Sequence, residues 1–298
     1  MKVKVILNPY ANRWRAQGRL DAIREAFAAV QISPDIDVTE RRRQAIELAQ
    51  AAVTDGYDAV VAAGGDGTVG EVVKGLIRAK AGPTIPLGVL SIGTANDFGD
   101  LAGVPRALEA GVRLIATGHT RQIDAGQISM NGQVHYFVNN SALAMEPMVT
   151  LENIKMTRLS GEIRYIVALV RALIKLRAWQ MRIVWDSGVY EGPAYLLSIC
   201  NGPRTGGFYM APDARMNDGL FDFVFAPEMS KWTVLAVLLR LLRQTHIHHP
   251  QITYGRTTRL SITSQPGTPI HADGEILNES VATVAYEMLP GKVTLLTL

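Results

Sequence analysis

The sequence predicts an α/β domain followed by a β-rich one, and three observations carry that prediction. The first third alternates short apolar runs with stretches of helical periodicity, the pattern of a parallel sheet covered on both faces. From about residue 122 the pattern changes to short stretches of period two, which suit antiparallel sheets. Within the first part, the apolar run Val60-Val61-Ala62-Ala63 leads straight into Gly64-Gly65-Asp66-Gly67-Thr68. That is a strand-to-helix turn with no side chains in front of its amides. The expected fold is an N-terminal Rossmann-like parallel-sheet domain over 1–124 and a C-terminal antiparallel β-sandwich domain over 125–298.

Taken in order, residues 2–7 read as the first strand. Residues 17–29 read as a helix with Leu20, Ile23, Ala26 and Phe27 on its apolar face. A short strand over 36–38 precedes Thr39, a natural N-cap for a helix over 40–54. Strand 57–63 ends at the glycine turn, and a helix over 69–79 follows. Strand 87–92 ends in a second turn, Gly93-Thr94-Ala95-Asn96-Asp97. Ligands of parallel sheets sit outside the carboxyl ends of the strands, and both turns occupy that edge. In the second half, strands are expected at 126–129, 135–140, 180–185, 194–200, 220–225, 259–263, 268–272 and 283–288. Helices near 160–178 and 230–244 interrupt them.

Composition narrows the function classes. At 298 residues, with 48% hydrophobic and 19% charged side chains, the chain is an ordinary globular protein of one or two domains. A net charge of +3, from 30 basic and 27 acidic residues, is too small to argue for nucleic acid. A single cysteine, Cys200, excludes an internal disulfide framework and a multi-cysteine metal site. The N-terminal apolar run is short for a signal peptide, and the longest uncharged apolar run, 232–239, is far below the roughly 20 residues of a membrane span. A cytoplasmic protein is expected, with contact at a membrane surface left open.

The acids then point to chemistry. Helix N-terminal amides bind phosphate, but Asp66 inside that turn repels phosphate unless Mg²⁺ lies between them or the carboxylate is itself hydrogen-bonded. The turn therefore suggests nucleoside triphosphate chemistry. Asp66, Asp97 and Asp124 each follow a predicted strand, and the topology can gather them at one sheet edge to hold Mg²⁺. Asp97 reads equally as the cap of a short helix after Asn96, and Asp124 as a strand-end cap. Asp273 and Glu275 lie two apart and share a face of an extended segment, although Asp-Gly pairs are also common turn formers. His246, His248 and His249 cluster without an acid or cysteine beside them, and a solvated helix end is the plainer reading.

In this order, Asn8-Pro9, Gly64-Gly65-Asp66-Gly67-Thr68 with Glu71, Gly93-Thr94-Ala95-Asn96-Asp97-Phe98 and Asp273-Gly274-Glu275 resemble the diacylglycerol kinase and sphingosine kinase family of lipid kinases. The chain is similar to its soluble bacterial members over nearly its whole length. The first glycine turn alone is shared with NAD kinases and phosphofructokinases, and the later segments make the combination specific. The resemblance implies an NAD kinase/diacylglycerol kinase-like fold, with ATP and Mg²⁺ as cofactors. It also implies transfer of the γ-phosphate to the hydroxyl of a diacylglycerol-like lipid.

By that resemblance, Asn8, Thr39, Gly64, Gly65, Asp66, Gly67, Thr68, Thr94 and Asn96 contact the nucleotide, and Asp66 and Glu275 take part in catalysis. Asp273 is the general base, and Glu275 joins Asp66, Asp97 and Asp124 around the catalytic Mg²⁺. The segment Arg215-Met216-Asn217-Asp218-Gly219-Leu220 resembles one that holds a structural Mg²⁺ by an aspartate and backbone carbonyls, which marks Asp218 and Leu220. An Asp-Gly hairpin turn is the other reading of that segment.

The chain departs from the family's usual Ser-Gly and Asn at Tyr10-Ala11-Asn12 and Gly70. The alternatives are an NAD kinase and a catalytically silent nucleotide- or lipid-binding regulator. The two later helices set apolar residues beside Arg164, Arg171, Lys175 and Arg177, and beside Lys231, Arg240 and Arg243. That mixture suits anionic headgroups, and equally two amphipathic helices packed on a sheet. The expected partners are a lipid alcohol and a membrane surface, without nucleic acid. Exposed edge strands leave room for a homodimer.

Overall fold

The computed structural model describes residues 1–11, 17–79, 85–94, 96–155 and 161–297. It contains two compact units, one of Met1–Asp124 with Gly291–Leu298 and one of Ala125–Pro290. The C-terminal segment, expected in the second domain, thus packs with the first unit.

The first unit runs β1 (Val3–Leu7), α1 (Leu20–Ala28), β2 (Asp35–Val38), α2 (Gln44–Thr54), β3 (Ala59–Gly64), α3 (Asp66–Arg78), β4 (Leu87–Ser91), α4 (Asp97–Leu101) and α5 (Leu108–Thr117). β1 pairs in parallel with β2 on one side and β3 on the other, and β3 pairs in parallel with β4. The chain's last strand adds Leu295 beside Leu87, again in parallel. Every residue of β3 is buried, as a central strand covered on both faces requires. Val5, Ile23, Phe27, Val61, Leu90 and Ile115 belong to its core.

Local chemistry moves two boundaries. The helix expected from residue 40 begins at Gln44, because Gln44 Oε1 accepts the amide hydrogens of Glu40 (2.6 Å) and Arg41 (3.4 Å) and closes a turn there. Arg43, at φ 65°, ends that turn, and Thr39 continues β2 through its amide to Leu7 O rather than capping a helix. The helix expected from residue 69 begins earlier, at Asp66, since the glycine turn itself is its N-terminus.

The second unit holds most of β5 (Thr120–Met130), then β6 (Gln133–Phe137), β7 (Asn140–Ala144), α6 (Met145–Lys155), α7 (Gly161–Ile174), β8 (Trp179–Trp185), β9 (Gly188–Cys200) and β10 (Arg204–Thr205). There follow β11 (Phe208–Tyr209), β12 (Phe221–Pro227), α8 (Lys231–Leu242), β13 (Thr253–Thr257), β14 (Arg259–Ala272) and β15 (Glu275–Leu296). Antiparallel pairing orders β13, β12, β9, β7, β14 and β15, and β8 pairs with both β9 and β14. Aromatic rings fill this core. Phe137 stacks on Phe221 with centroids 5.6 Å apart and meets Tyr286 edge-on at 6.1 Å.

The strand expected over 135–140 is interrupted after Phe137, because the amides of Val138 and Asn139 bond to Asp273 instead of a neighbouring strand. The strands expected at 259–263 and 268–272 are one bulged strand, β14. α6 was not expected, since its residues form no marked apolar stripe. Among the described residues no helix is long and apolar enough to cross a membrane.

Candidate active site

In the first unit the two glycine turns pack back to back. A side chain on Gly93 would run into the Cα of Gly65 and stand 2.8 Å from its nitrogen, and one on Gly64 would run into Thr68. Glycine at these positions is therefore demanded by contact with backbone and a packed side chain. A Cβ on Gly67 meets nothing within 4 Å. The first turn of α3 thus faces open space where helix amides point outward. Asn8 braces this turn by donating from Nδ2 to Thr68 Oγ1 (3.0 Å). Thr39 is buried and Thr94 exposed.

Asp66 Oδ1 accepts the amide hydrogen of Phe98 at 2.8 Å. Asp66 therefore caps α4, the role that one reading gave to Asp97. Asn96, at φ 58°, accepts from the Gly93 amide and donates to the Gly93 carbonyl, both at 3.0 Å, and to Ser91 O at 3.3 Å. Its side chain is engaged by its own turn. Asp97 is buried, and Arg106 forks onto Asp100 through Nε (2.9 Å) and Nη2 (2.6 Å). The bond to Asp100, with added attraction from Asp97 and Asp66, holds Arg106 above its usual pKa. A local concentration of negative charge surrounds the turn. Asp124 is buried and accepts the Gly291 amide hydrogen at 2.7 Å, which ties β5 to the returning C-terminal segment. Among the described residues no three His, Cys, Asp or Glu side chains converge as a metal cluster.

In the second unit, Asp273 and Gly274 form a turn at φ 47° and 77° between β14 and β15. Asp273 Oδ1 accepts from the amides of Asn139 (2.9 Å) and Asn140 (3.2 Å), and Oδ2 from Val138 (3.0 Å). Three backbone amides thus hold the Asp273 carboxylate in place. Glu275 opens β15, half-buried and opposite Ala272.

Beneath this turn lies a buried polar group that the sequence reading missed. His271 Nε2 stands 3.2 Å from Glu146 Oε1, and Asn140 Nδ2 (2.7 Å) and Thr205 Oγ1 (3.0 Å) donate to the same oxygen. Burial pushes the Glu146 pKa up, but His271 and these two donors outweigh it and hold it below the usual carboxylate value. The available signal was a histidine two residues before Asp273.

Other candidates resolve differently. Asp218 is exposed, and its Oδ1 accepts the Leu220 amide hydrogen at 3.1 Å with Gly219 at φ 73°. That is the geometry of a turn closed on itself. His246 is not on a solvated helix end. It is buried with Nε2 2.9 Å from Met210 O, and burial lowers its pKa. Cys200 is buried, and desolvation pushes its thiol pKa up. Asn12, Ala95 and Ser160 lie outside the described residues.

The diacylglycerol kinase catalytic domain family matches residues 2–128, and the YegS C-terminal NAD kinase beta sandwich-like domain matches residues 144–297. A diacylglycerol kinase of Bacillus subtilis (strain 168) is 30% identical over 278 residues, covering 92% of this chain and 89% of the relative. The chain belongs to the diacylglycerol kinase family. It is a kinase, and that membership implies ATP as phosphoryl donor. A diacylglycerol kinase of Staphylococcus aureus (strain MRSA252) is 28% identical over 276 residues, 92% of this kinase and 86% of the relative. Two solved structures show likeness of fold alone. A diacylglycerol kinase of Bacillus anthracis str. Sterne has TM-score 0.73 and 21% identity, covering 100% of this chain and 97% of that one. Yeast NADH kinase complexed with NADH has TM-score 0.52 and 11% identity, covering 97% and 78%.

Proposed function

We propose that this kinase transfers the γ-phosphate of ATP, with Mg²⁺, to the hydroxyl of a diacylglycerol-like lipid, giving a phosphatidate-type product. The observation that carries the reading is the pair of packed glycine turns, which leaves bare backbone at the N-terminus of α3 beside Asp66 and Asp97. The first unit is then a Rossmann-like nucleotide domain, with the phosphates at Gly64 to Thr68 and Asn8, Thr39 and Thr94 around the nucleotide. Asn96 serves by shaping the second turn. The β-rich second unit is the lipid-substrate domain, a β-sandwich, and peripheral contact at the inner membrane face brings in the substrate.

Mg²⁺ commonly takes one or two carboxylates, with phosphate oxygens and waters completing its shell. The oxygen donors of Asp66 and Asp97 fit such a set without a third acid. When bound, the cation offsets the charge developing on the transferred phosphoryl group. Asp273 accepts the proton of the attacking hydroxyl, while the amides of Val138, Asn139 and Asn140 fix its position. Asp218 is assigned to its turn rather than to a structural metal.

The test is transfer of labelled γ-phosphate into a panel of lipid alcohols in mixed micelles, with NAD as a control because the yeast NADH kinase shares the fold. Label is expected in diacylglycerol, with none in NAD, and Asp273→Asn is expected to abolish it while ATP still binds. Label in NADP would reassign the protein. ATP binding without transfer to any acceptor would favour a silent regulator.

A further inference from the structure

α8 is apolar on two sides. Its inner side sets Val234, Val237 and Leu241 against a cluster that includes Leu196, Met210, Val224 and Met229. Its outer side carries Trp232, Leu235, Leu239 and Leu242, which are 82%, 50%, 56% and 65% exposed. Their spacing of three, four and three residues makes one stripe along the helix. None of the twelve residues of α8 is buried. A helix apolar all round is ordinarily covered on every side, so the outer stripe lacks its cover.

Charge decides what the cover is. Every charged residue from Lys231 to Arg243 is basic, and Lys231, Arg240 and Arg243 are all exposed. A second copy docked by the same face would set these cations against their own equivalents. An anionic lipid surface answers both features, with headgroups for the cations and an acyl layer for the stripe. The end of α7 adds to the same flank. Leu176 lines the small apolar cavity under α8 together with Val234 and Leu238, and Ile174, two residues earlier, is 80% exposed.

We propose that α8 is a membrane-docking helix that lies along an anionic bilayer, with Trp232, Leu235, Leu239 and Leu242 at the headgroup–acyl boundary and Lys231, Arg240 and Arg243 on the phosphates. The proposal rests on the lipid-kinase reading for its purpose, but its test is separate. Protein is sedimented with phosphatidylcholine vesicles with and without phosphatidylglycerol, at low and high salt, and Trp232 emission is followed using Trp232→Phe as the blank. Wild type is expected to pellet with the anionic vesicles only, less so at high salt, with a blue shift absent from the blank.

Leu235→Glu/Leu239→Glu is expected to lose partitioning about tenfold or more. Arg240→Gln/Arg243→Gln is expected to lose about fivefold per removed charge. Both should keep the wild-type thermal midpoint and the wild-type rate on a short-chain, water-soluble diacylglycerol. Partitioning of the leucine variant equal to wild type overturns the proposal. So does a blue-shifted Trp232 without vesicles in a protein of dimeric mass, which assigns the face to a second copy. Vesicle binding without transfer to any lipid supports docking and removes the lipid-kinase reading, whereas transfer to the soluble lipid without vesicle binding does the reverse.

Discussion

Asp273 holds three consecutive amides, those of Val138, Asn139 and Asn140, and returns its own amide to Asn140 O at 2.8 Å. Asp273→Asn therefore does more than remove a base, because its NH₂ group must face an amide donor. A stability cost of about 1–3 kcal/mol is expected, seen as a thermal midpoint lower by roughly 2–10 °C. An unchanged midpoint would mean that the three bonds carry no stabilisation. Glu146 makes a pH-dependent contribution. Burial raises its pKa, but His271, Asn140 and Thr205 more than offset that, so the folded value lies below the ordinary 4.5. Its stabilisation is then present above the ordinary value and lost as pH falls through the lowered one. Glu146→Gln is expected to be less stable near neutral pH and to lose less midpoint than wild type as pH falls from about 5 to about 3. Equal acid slopes in a thermal melt series would contradict this. Neither role was readable locally, since Asp273 and Val138 are 135 positions apart.

At the scale of elements, the glycine turns separate packing from binding. Gly93→Ala forces a Cβ into the Gly65 backbone, which cannot move aside as a side-chain tip would. A loss of about 2 kcal/mol or more is expected, together with loss of ATP binding. Gly67→Ala meets open space in the first turn of α3 and is expected to fold as well as wild type, or up to about 1 kcal/mol better from helix propensity. Its ATP affinity should still fall, because the new methyl stands where phosphate approaches. Calorimetry of folding and of ATP binding on both variants checks the contrast, and unchanged ATP affinity in Gly67→Ala would move the phosphate site elsewhere. These turns were legible in sequence because a glycine run between an apolar strand and a helix is a local signal. The start of α2 was not, because Thr39 is a cap by residue type, while the turn ahead of the helix is closed by the Gln44 side chain.

For the whole molecule, the chain closes its first unit with its own last residues. Leu295 pairs beside Leu87, and the Gly291 amide bonds to Asp124. Metal is expected to matter for chemistry and not for this framework, since Asp218 closes its own turn on the Leu220 amide. Chelation with EDTA is expected to abolish phosphoryl transfer and to leave the thermal midpoint of the nucleotide-free protein unchanged. A midpoint that drops on chelation would restore a structural cation, with Asp218 as its first candidate.

Sequence alone determined the alternation of strands and helices, the glycine turn at the end of β3 and the family to which the chain belongs. Each depends on residues within a few positions of one another, or on motifs in fixed order. Tertiary structure alone decided that Asp66 caps α4 from 32 positions away, that Asp273 holds a broken strand, and that Glu146 meets His271 under it. It also decided which apolar side of α8 finds a core and which is left outside. Partners so distant in sequence are set by how sheets close, and no local pattern encodes which side of a doubly apolar helix will be covered.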